Sequence, residues 1–286
     1  MANLKEIRNR ISSVSSTMKI TSAMKMVSAA KLKKAQDAIT AMRPYANKLT
    51  ELIQGLSANL ESDGISGYAD QRPVNKVLIV AITSNRGLCG AFNTNIIKEC
   101  RAMIEDEYSG QQVDLITIGK KAHDLLEKNF SIVEDHSPVY DDLSFQNIAQ
   151  IADNLMNYYS EGAYDRILLI YNRFKNAATQ IIMKEQFLPI LPSAEEKEST
   201  ADYIFEPSSE EIVVHLIPKS LKTQLYKAVR DSYAGEHGAR MTAMHKATDN
   251  ASELIEELTL TYNKARQAAI TNEILEIVGG AEALNN

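Results

Sequence analysis

LKEIRNRISSVSSTMKITSAMKMVSAAKLKKAQDAITAMRPYANKLTELIQGLSANL, residues 4–60, is the stretch on which the fold turns. Leu4, Ile7, Ile11, Val14, Met18, Thr21, Lys25, Ser28, Leu32, Ala35, Ile39, Met42, Ala46, Leu49, Ile53, Leu56 and Leu60 recur every third or fourth position. All but Thr21, Lys25 and Ser28 are apolar or alanine, so the stripe predicts one long helix with a seam against a partner helix. Asn3 with Glu6 forms a capping-box start, and Pro44 is expected to bend the helix without ending it. At about 1.5 Å per residue the run spans roughly 85 Å, more than a small domain buries. Such a rod is expected to project, which points to a mechanical or scaffolding role.

The period changes after the polar, glycine-bearing segment that begins at Glu61-Ser62-Asp63-Gly64 and ends at Arg72-Pro73. KVLIVAIT (Lys76–Thr83) reads as a buried parallel strand, followed by a turn over Ser84–Gly90 and a helix through Ile96, Ile97, Cys100 and Ile104. Val113–Ile118, Phe130–Val133, Ile167–Tyr171 and Thr179–Leu188 read as further strands. Helices are predicted over Lys120–Lys128 and, capped by Ser144, through Leu155 and Tyr158. The alternation predicts a Rossmann-like, mostly parallel α/β domain over 73–192, after an N-terminal coiled-coil helix over 1–62. An acidic loop and connector follows over 193–207.

From 208 the pattern is helical again. Ser208 and Glu211 have capping-box spacing, and Pro218 is expected to kink the helix early. Leu254, Leu258, Tyr262, Ala265 and Ala269 continue into Ile270, Ile274 and Ile277 as one stripe. Alanine and glycine between Ala234 and Ala251 are read as allowing close approach of a second helix. The two ends are thus expected to pair as a long antiparallel coiled coil.

Composition excludes several classes. No apolar run approaches the roughly 20 residues of a membrane span. The start MANLKEIRNR carries no hydrophobic signal core, and no transit segment is visible, which favours a bacterial protein. Two cysteines, Cys89 and Cys100, are too few for a disulfide framework. Net charge is −6, but residues 1–60 hold ten Lys or Arg against three Asp or Glu, whereas residues 61–205 hold thirteen against twenty-two. A basic helix on an acidic protein suits nucleic acid, an anionic membrane or an acidic protein partner, set against the plainer reading of a solvated face. With Tyr45 its only aromatic, that helix offers no base-stacking platform.

No enzyme site emerges. The turn Thr83–Gly90 stands where a phosphate loop would, yet lacks both the lysine-hydroxyl end of a P-loop and the three-glycine dinucleotide spacing, and is read as a structural turn. His123, His136, His215, His237 and His245 show no metal-ligand spacing. Catalytic, cofactor-binding and metal residues are accordingly none. The gap in the seam at Thr21, Lys25 and Ser28 is the most unusual feature, because apolar residues shift there to Ile20, Met24 and Val27. It is read either as a packing stutter or as a stretch where Met24, Met26, Lys31, Lys33 and Lys34 meet an adaptable, acidic external surface.

ITSAMKMVSAAKLKKAQ (Ile20–Gln36), RPYA (Arg43–Ala46), SNRGLCGAFN (Ser84–Asn93), ARMTAMHKATDNA (Ala239–Ala251) and YNKARQAAITNEILEIVGGA (Tyr262–Ala281) together resemble the gamma subunit of F-type ATP synthases over essentially the full length. The resemblance implies a non-catalytic central rotor stalk. Its coiled coil would enter the hexamer of alpha and beta subunits, and its α/β foot would sit on the epsilon subunit and the membrane c-ring. It implies beta contacts at Met24, Lys31, Lys33, Lys34, Arg240, Arg266, Gln267 and Thr271, and foot contacts at Phe205 and Glu206. It implies no cofactor, nucleic acid or direct small-molecule substrate, and a peripheral place on the cytoplasmic face of the bacterial plasma membrane. The acidic middle domain departs from the family's often basic character, and no inserted cysteine pair of the chloroplast thiol switch is visible. Two other readings are a homodimeric coiled-coil scaffold carrying an α/β module, and an enzyme whose arm recognises substrate at a distance.

Overall fold

The structure is a computed structural model that describes residues 4–57, 66–69, 71–190 and 209–284. The expected cap at Asn3, helix end near Glu61–Gly64, acidic loop over 193–207 and cap at Ser208 lie outside those residues. In order, the elements are α1 (Leu4–Ser57), α2 (Ser66–Ala69), β1 (Lys76–Ile82), α3 (Phe92–Ala102), β2 (Gln112–Ile118), α4 (Lys120–Leu126), β3 (Ile132–Asp135), α5 (Phe145–Ser160), β4 (Arg166–Phe174), β5 (Gln180–Leu188) and α6 (Ser209–Leu284). Pro44 and Pro218 both lie inside helices that continue past them.

By contacts the chain divides into two units, Met1–Ser28 with Met241–Asn286, and Ala29–Arg240. The division falls inside both long helices, not at their ends, because half of each helix packs on the sheet.

The larger unit is built on one sheet of order β3-β2-β1-β4-β5. β1 pairs in parallel with β2 and β4, β2 pairs in parallel with β3, and β5 closes the edge antiparallel to β4. Each strand's side chains alternate between faces, so β1 serves two cores. Leu78, Val80 and Ile82 pack with α5 through Ile148, Ile151 and Leu155, and with α6 through Leu221, Leu225, Ala228 and Val229. Val77, Ile79 and Ala81 pack instead with α3 through Ile96, Ile97 and Cys100, and with α4 through Ala122 and Leu126. A strand buried on both faces has no polar side to show, hence the unbroken apolar run. Each such buried aliphatic contributes about 1.5–3 kcal/mol of transfer free energy. Ser144 caps α5 as expected, accepting from the Asn147 amide at 3.4 Å.

The α1 part of this unit buries Leu32, Ala35, Ile39, Ala46 and Leu49, the predicted stripe. In the smaller unit Ile7, Thr21 and Ser28 are buried on α1, and Met244 and Ala251 on α6. Arg8 bonds Tyr262 there and Thr21 meets Thr248, so residue numbers rise along one helix as they fall along the other. The pairing is antiparallel.

Candidate functional site

In the paired-helix unit the seam does not rotate at Thr21 and Ser28. Both stay buried, at 8% and 3% exposure, while Ile20, Met26 and Val27 are 60%, 65% and 57% exposed. The expectation of a rotated stripe is thereby corrected. The seam tolerates hydroxyls because they have partners: Thr21 Oγ1 lies 2.8 Å from Thr248 Oγ1, whose own hydroxyl donates to the Met244 carbonyl at 2.8 Å. The displaced apolar side chains are consequently left on the outer face. Met24 and Lys25 are half-buried.

Along α6 the stripe Leu254, Leu258, Tyr262 and Ala265 is half-buried, but from Arg266 to Ala281 every residue is exposed. Ala269 and the isoleucines beyond it therefore have no seam among the described residues, contrary to expectation. Ile270, Ile274, Leu275, Ile277 and Val278 stand 49–66% exposed. Arg266, Gln267 and Thr271 lie on this stretch, with the Thr271 hydroxyl returned to the Gln267 carbonyl at 2.9 Å.

In the α/β unit Lys31, Lys33 and Lys34 are exposed on α1. Arg240 is not on an open surface: it is 7% exposed, with Nη1 2.5 Å from Glu236 Oε1. Its Nη2 donates to the carbonyls of Arg86 at 2.9 Å and Gly87 at 3.2 Å. An expected beta contact is thus occupied inside its own chain. Phe205 and Glu206 lie outside the described residues.

The turn after β1 sits at the carboxyl ends of the strands, where α/β sheets hold ligands. Over β1 that crevice is filled by aromatic side chains, while a cavity lined by Asp135, His136 and Asn147 lies at the end of β3. Tyr140 donates to the Thr83 carbonyl at 2.7 Å and stacks on Tyr233 of α6 at 6.3 Å. Tyr233 meets His237 edge-on at 4.5 Å. A phosphate loop aims amides at its ligand, whereas this turn aims two carbonyls at a guanidinium, so it selects a cation already supplied by α6. Ser84 stiffens it, its hydroxyl donating to the Arg86 carbonyl at 2.7 Å and its amide donating to Asn93 Oδ1 of α3 at 2.9 Å.

Buried charge follows the same logic. Burial holds His237 down to about 3, with the nearby cations Arg240 and Lys31 acting in the same direction, so its ring is neutral. Burial raises the Glu236 carboxyl, against the opposing pull of Arg240. Burial also pushes up the thiols of Cys89 and, to about 12, Cys100, which makes both poor nucleophiles. Among the described residues no group of three His, Cys, Asp or Glu could hold a metal ion.

Two small residues of α6 serve a different neighbour than predicted. A Cβ at Gly235 would stand 3.2 Å from Phe92 and from Gln180, and one at Gly238 would stand 3.1 Å from the Ala177 backbone. The β4–β5 hairpin and the start of α3 come close there, whereas further along, at Thr248 and Ala251, the neighbour is α1 as expected. Periodicity also missed Arg43 and Asp231, which form a 3.0 Å ion pair between α1 and α6. The only hint was Arg43 beside Pro44 in a motif too polar for a seam.

The family described as ATP synthase matches residues 3–284. The chain is 70% identical to the ATP synthase gamma chain of Flavobacterium johnsoniae, and 64% identical to that of Christiangramia forsetii, over the whole of each chain. Its fold is similar to a chain of the Euglena gracilis mitochondrial ATP synthase, OSCP/F1/c-ring, rotational state 3, with TM-score 0.68, 22% identity and coverage of 98% of this chain and 94% of that one. A chain of the Tetrahymena thermophila mitochondrial ATP synthase central stalk and c-ring gives TM-score 0.59 at 24% identity, covering 80% of this chain and 99% of that one. With the paired terminal helices, the closed turn after β1 and these full-length matches in view, the chain belongs to the ATP synthase gamma-chain family.

Proposed function

We propose that this chain is the central rotor stalk of a bacterial F-type ATP synthase, carrying torque between the membrane c-ring and the catalytic beta subunits. One observation carries the reading: α1 and α6 satisfy each other's inner seam, yet leave apolar Ile20, Met26 and Val27 on the outer face. Such side chains gain by burial only against another protein. The exposed apolar and polar stretch of α6 from Arg266 onward fits the same purpose, as a shaft end that turns inside the alpha–beta head. A homodimeric scaffold is disfavoured, because the seam it would use is already occupied.

The shaft performs no chemistry, and the turn after β1, closed over by Tyr140 and spent on Arg240, supports a non-catalytic role. Lys31, Lys33 and Lys34 are assigned to an acidic segment of beta. The foot is assigned to epsilon and the c-ring, giving peripheral attachment on the cytoplasmic face. No described helix is long and apolar enough to cross a membrane, which accords with attachment through partners.

Neutralising all three lysines to glutamine tests the assignment. Exposed pairs give about 0.2–1 kcal/mol each, so the three together weaken the contact by about 0.6–3 kcal/mol, and ATP-driven proton pumping of the assembled complex is expected to fall at least about threefold while the subunit stays folded. Unchanged turnover and pumping would remove these lysines from the contact.

A further inference from the structure

Leu88 stands apart from the rest of the chain. It is the one non-glycine residue with positive φ among the described residues, at 63°. It is also 65% exposed. Leucine disfavours both the left-handed backbone and water, so this arrangement persists only where the surroundings impose it.

Those surroundings converge on one side chain. Arg240 donates to the carbonyls of Arg86 and Gly87, the two residues before Leu88. Its guanidinium is in turn oriented by Glu236, one α-helical turn earlier on α6. On the far side of Leu88, the amide of Phe92 returns to the Cys89 carbonyl at 3.3 Å. The turn is therefore held at both flanks, with Leu88 as its exposed tip. Exposed Arg86, two residues before Leu88, sets a positive charge beside the tip.

We infer that Arg240 is a positioning residue for torque transfer: it presents Leu88, with Arg86 beside it, to the acidic segment of beta. The inference rests on the shaft reading and assigns Arg240 an indirect role in it. The guanidinium touches its own chain, and the partner feels it through the shape of the turn. A lysine cannot replace it, since one ammonium does not present a planar fork to two carbonyls and a carboxylate together.

The test uses the assembled complex with a nitroxide at Leu88→Cys. Buried Cys89 and Cys100 have raised pKa values and react slowly, which keeps the label selective. The background variant is Arg240→Gln with Glu236→Gln, so that no lone buried charge remains; Arg240→Lys is the conservative comparison. Both are expected to assemble in normal yield, to free the label's motion by severalfold, and to lower pumping, measured in parallel without the label, about tenfold at little cost in ATP hydrolysis. A label as immobile as in the parent would overturn the inference, as would a freed label with pumping intact. Failure of the shaft reading looks different: the parent chain itself would not join the alpha–beta head, whatever stands at 240.

Discussion

Gly119→Ala is expected to cost at least about 4 kcal/mol, enough to unfold most marginally stable domains. Gly119 follows β2 with φ of 120°, a region that L side chains rarely adopt. A Cβ there would lie 2.2 Å from the Thr83 carbonyl oxygen, 2.6 Å from its carbon and 2.8 Å from its Oγ1. Thr83 has nowhere to retreat. Its amide donates to the Ile118 carbonyl at 2.9 Å, its carbonyl accepts from Tyr140 at 2.7 Å, and its Oγ1 accepts from the Ala122 amide at 2.9 Å. Strain and steric overlap therefore add. Gly90→Ala is the control, since Gly90 also has positive φ but no atom within 4 Å of its Cβ position. It should cost only about 1–2 kcal/mol. Chemical denaturation of the two variants compares them directly, and equal losses would refute the contact as the cause.

Arg43→Ala is expected to cost about 3 kcal/mol at neutral pH, with a deficit that shrinks in acid. Arg43 Nη2 reaches Asp231 Oδ1 at 3.0 Å and the Phe174 carbonyl at 3.1 Å, joining α1, α6 and the end of β4. The Asp231 side chain is 1% exposed and its Oδ2 has no hydrogen-bond partner, so removal of Arg43 strands a buried charge. Breaking such a pair costs about 3–5 kcal/mol, and the 41% exposure of Arg43 puts this one at the lower end. Burial already raises the Asp231 carboxyl above its usual value, against the pull of Arg43. Without Arg43 it rises further. A native carboxyl with a raised pKa binds its proton more tightly than the unfolded chain does. Its contribution is present below the ordinary carboxylate pKa and is lost as pH rises through the native value. Unfolding at pH 5 and pH 8 should thus show the larger deficit at pH 8. Asp231→Asn added to Arg43→Ala should recover part of the loss there. A deficit independent of pH, with no recovery in the double variant, would dismiss the stranded charge.

What could be read from the sequence follows from where the deciding information lies. β1 was legible because a strand buried on both faces must be apolar throughout, and the α1 stripe because its period repeats for about fifteen turns at 3.6 residues per turn. Thr21 was misread because a hydroxyl's place in a seam depends on Thr248, more than two hundred residues away, which no local period contains. Ile20, Met26 and Val27 stand exposed while Thr21 keeps the seam, and a local period alone could not choose between the two readings of this stretch. A protein face reserved for a partner carries the same apolar signature as a core. Family resemblance marked Arg240 without revealing that its guanidinium is buried on two carbonyls. Gly119 reads as a turn residue in any sequence, but the Thr83 carbonyl that forbids a side chain there lies in the turn after β1, thirty-six residues earlier. Gly235 and Gly238 likewise record close approach without naming what approaches.

The central claim is mechanical, and rotation tests it. A bead fixed to the α/β unit at exposed Lys128, away from the lysines assigned to beta, on alpha–beta heads assembled with one copy of this chain and held to glass, reports the shaft directly. ATP should drive the bead in one direction in three steps per turn, matching three catalytic beta subunits. Steady ATP hydrolysis beneath a bead that only jitters, with the chain confirmed in the complex, would contradict the account.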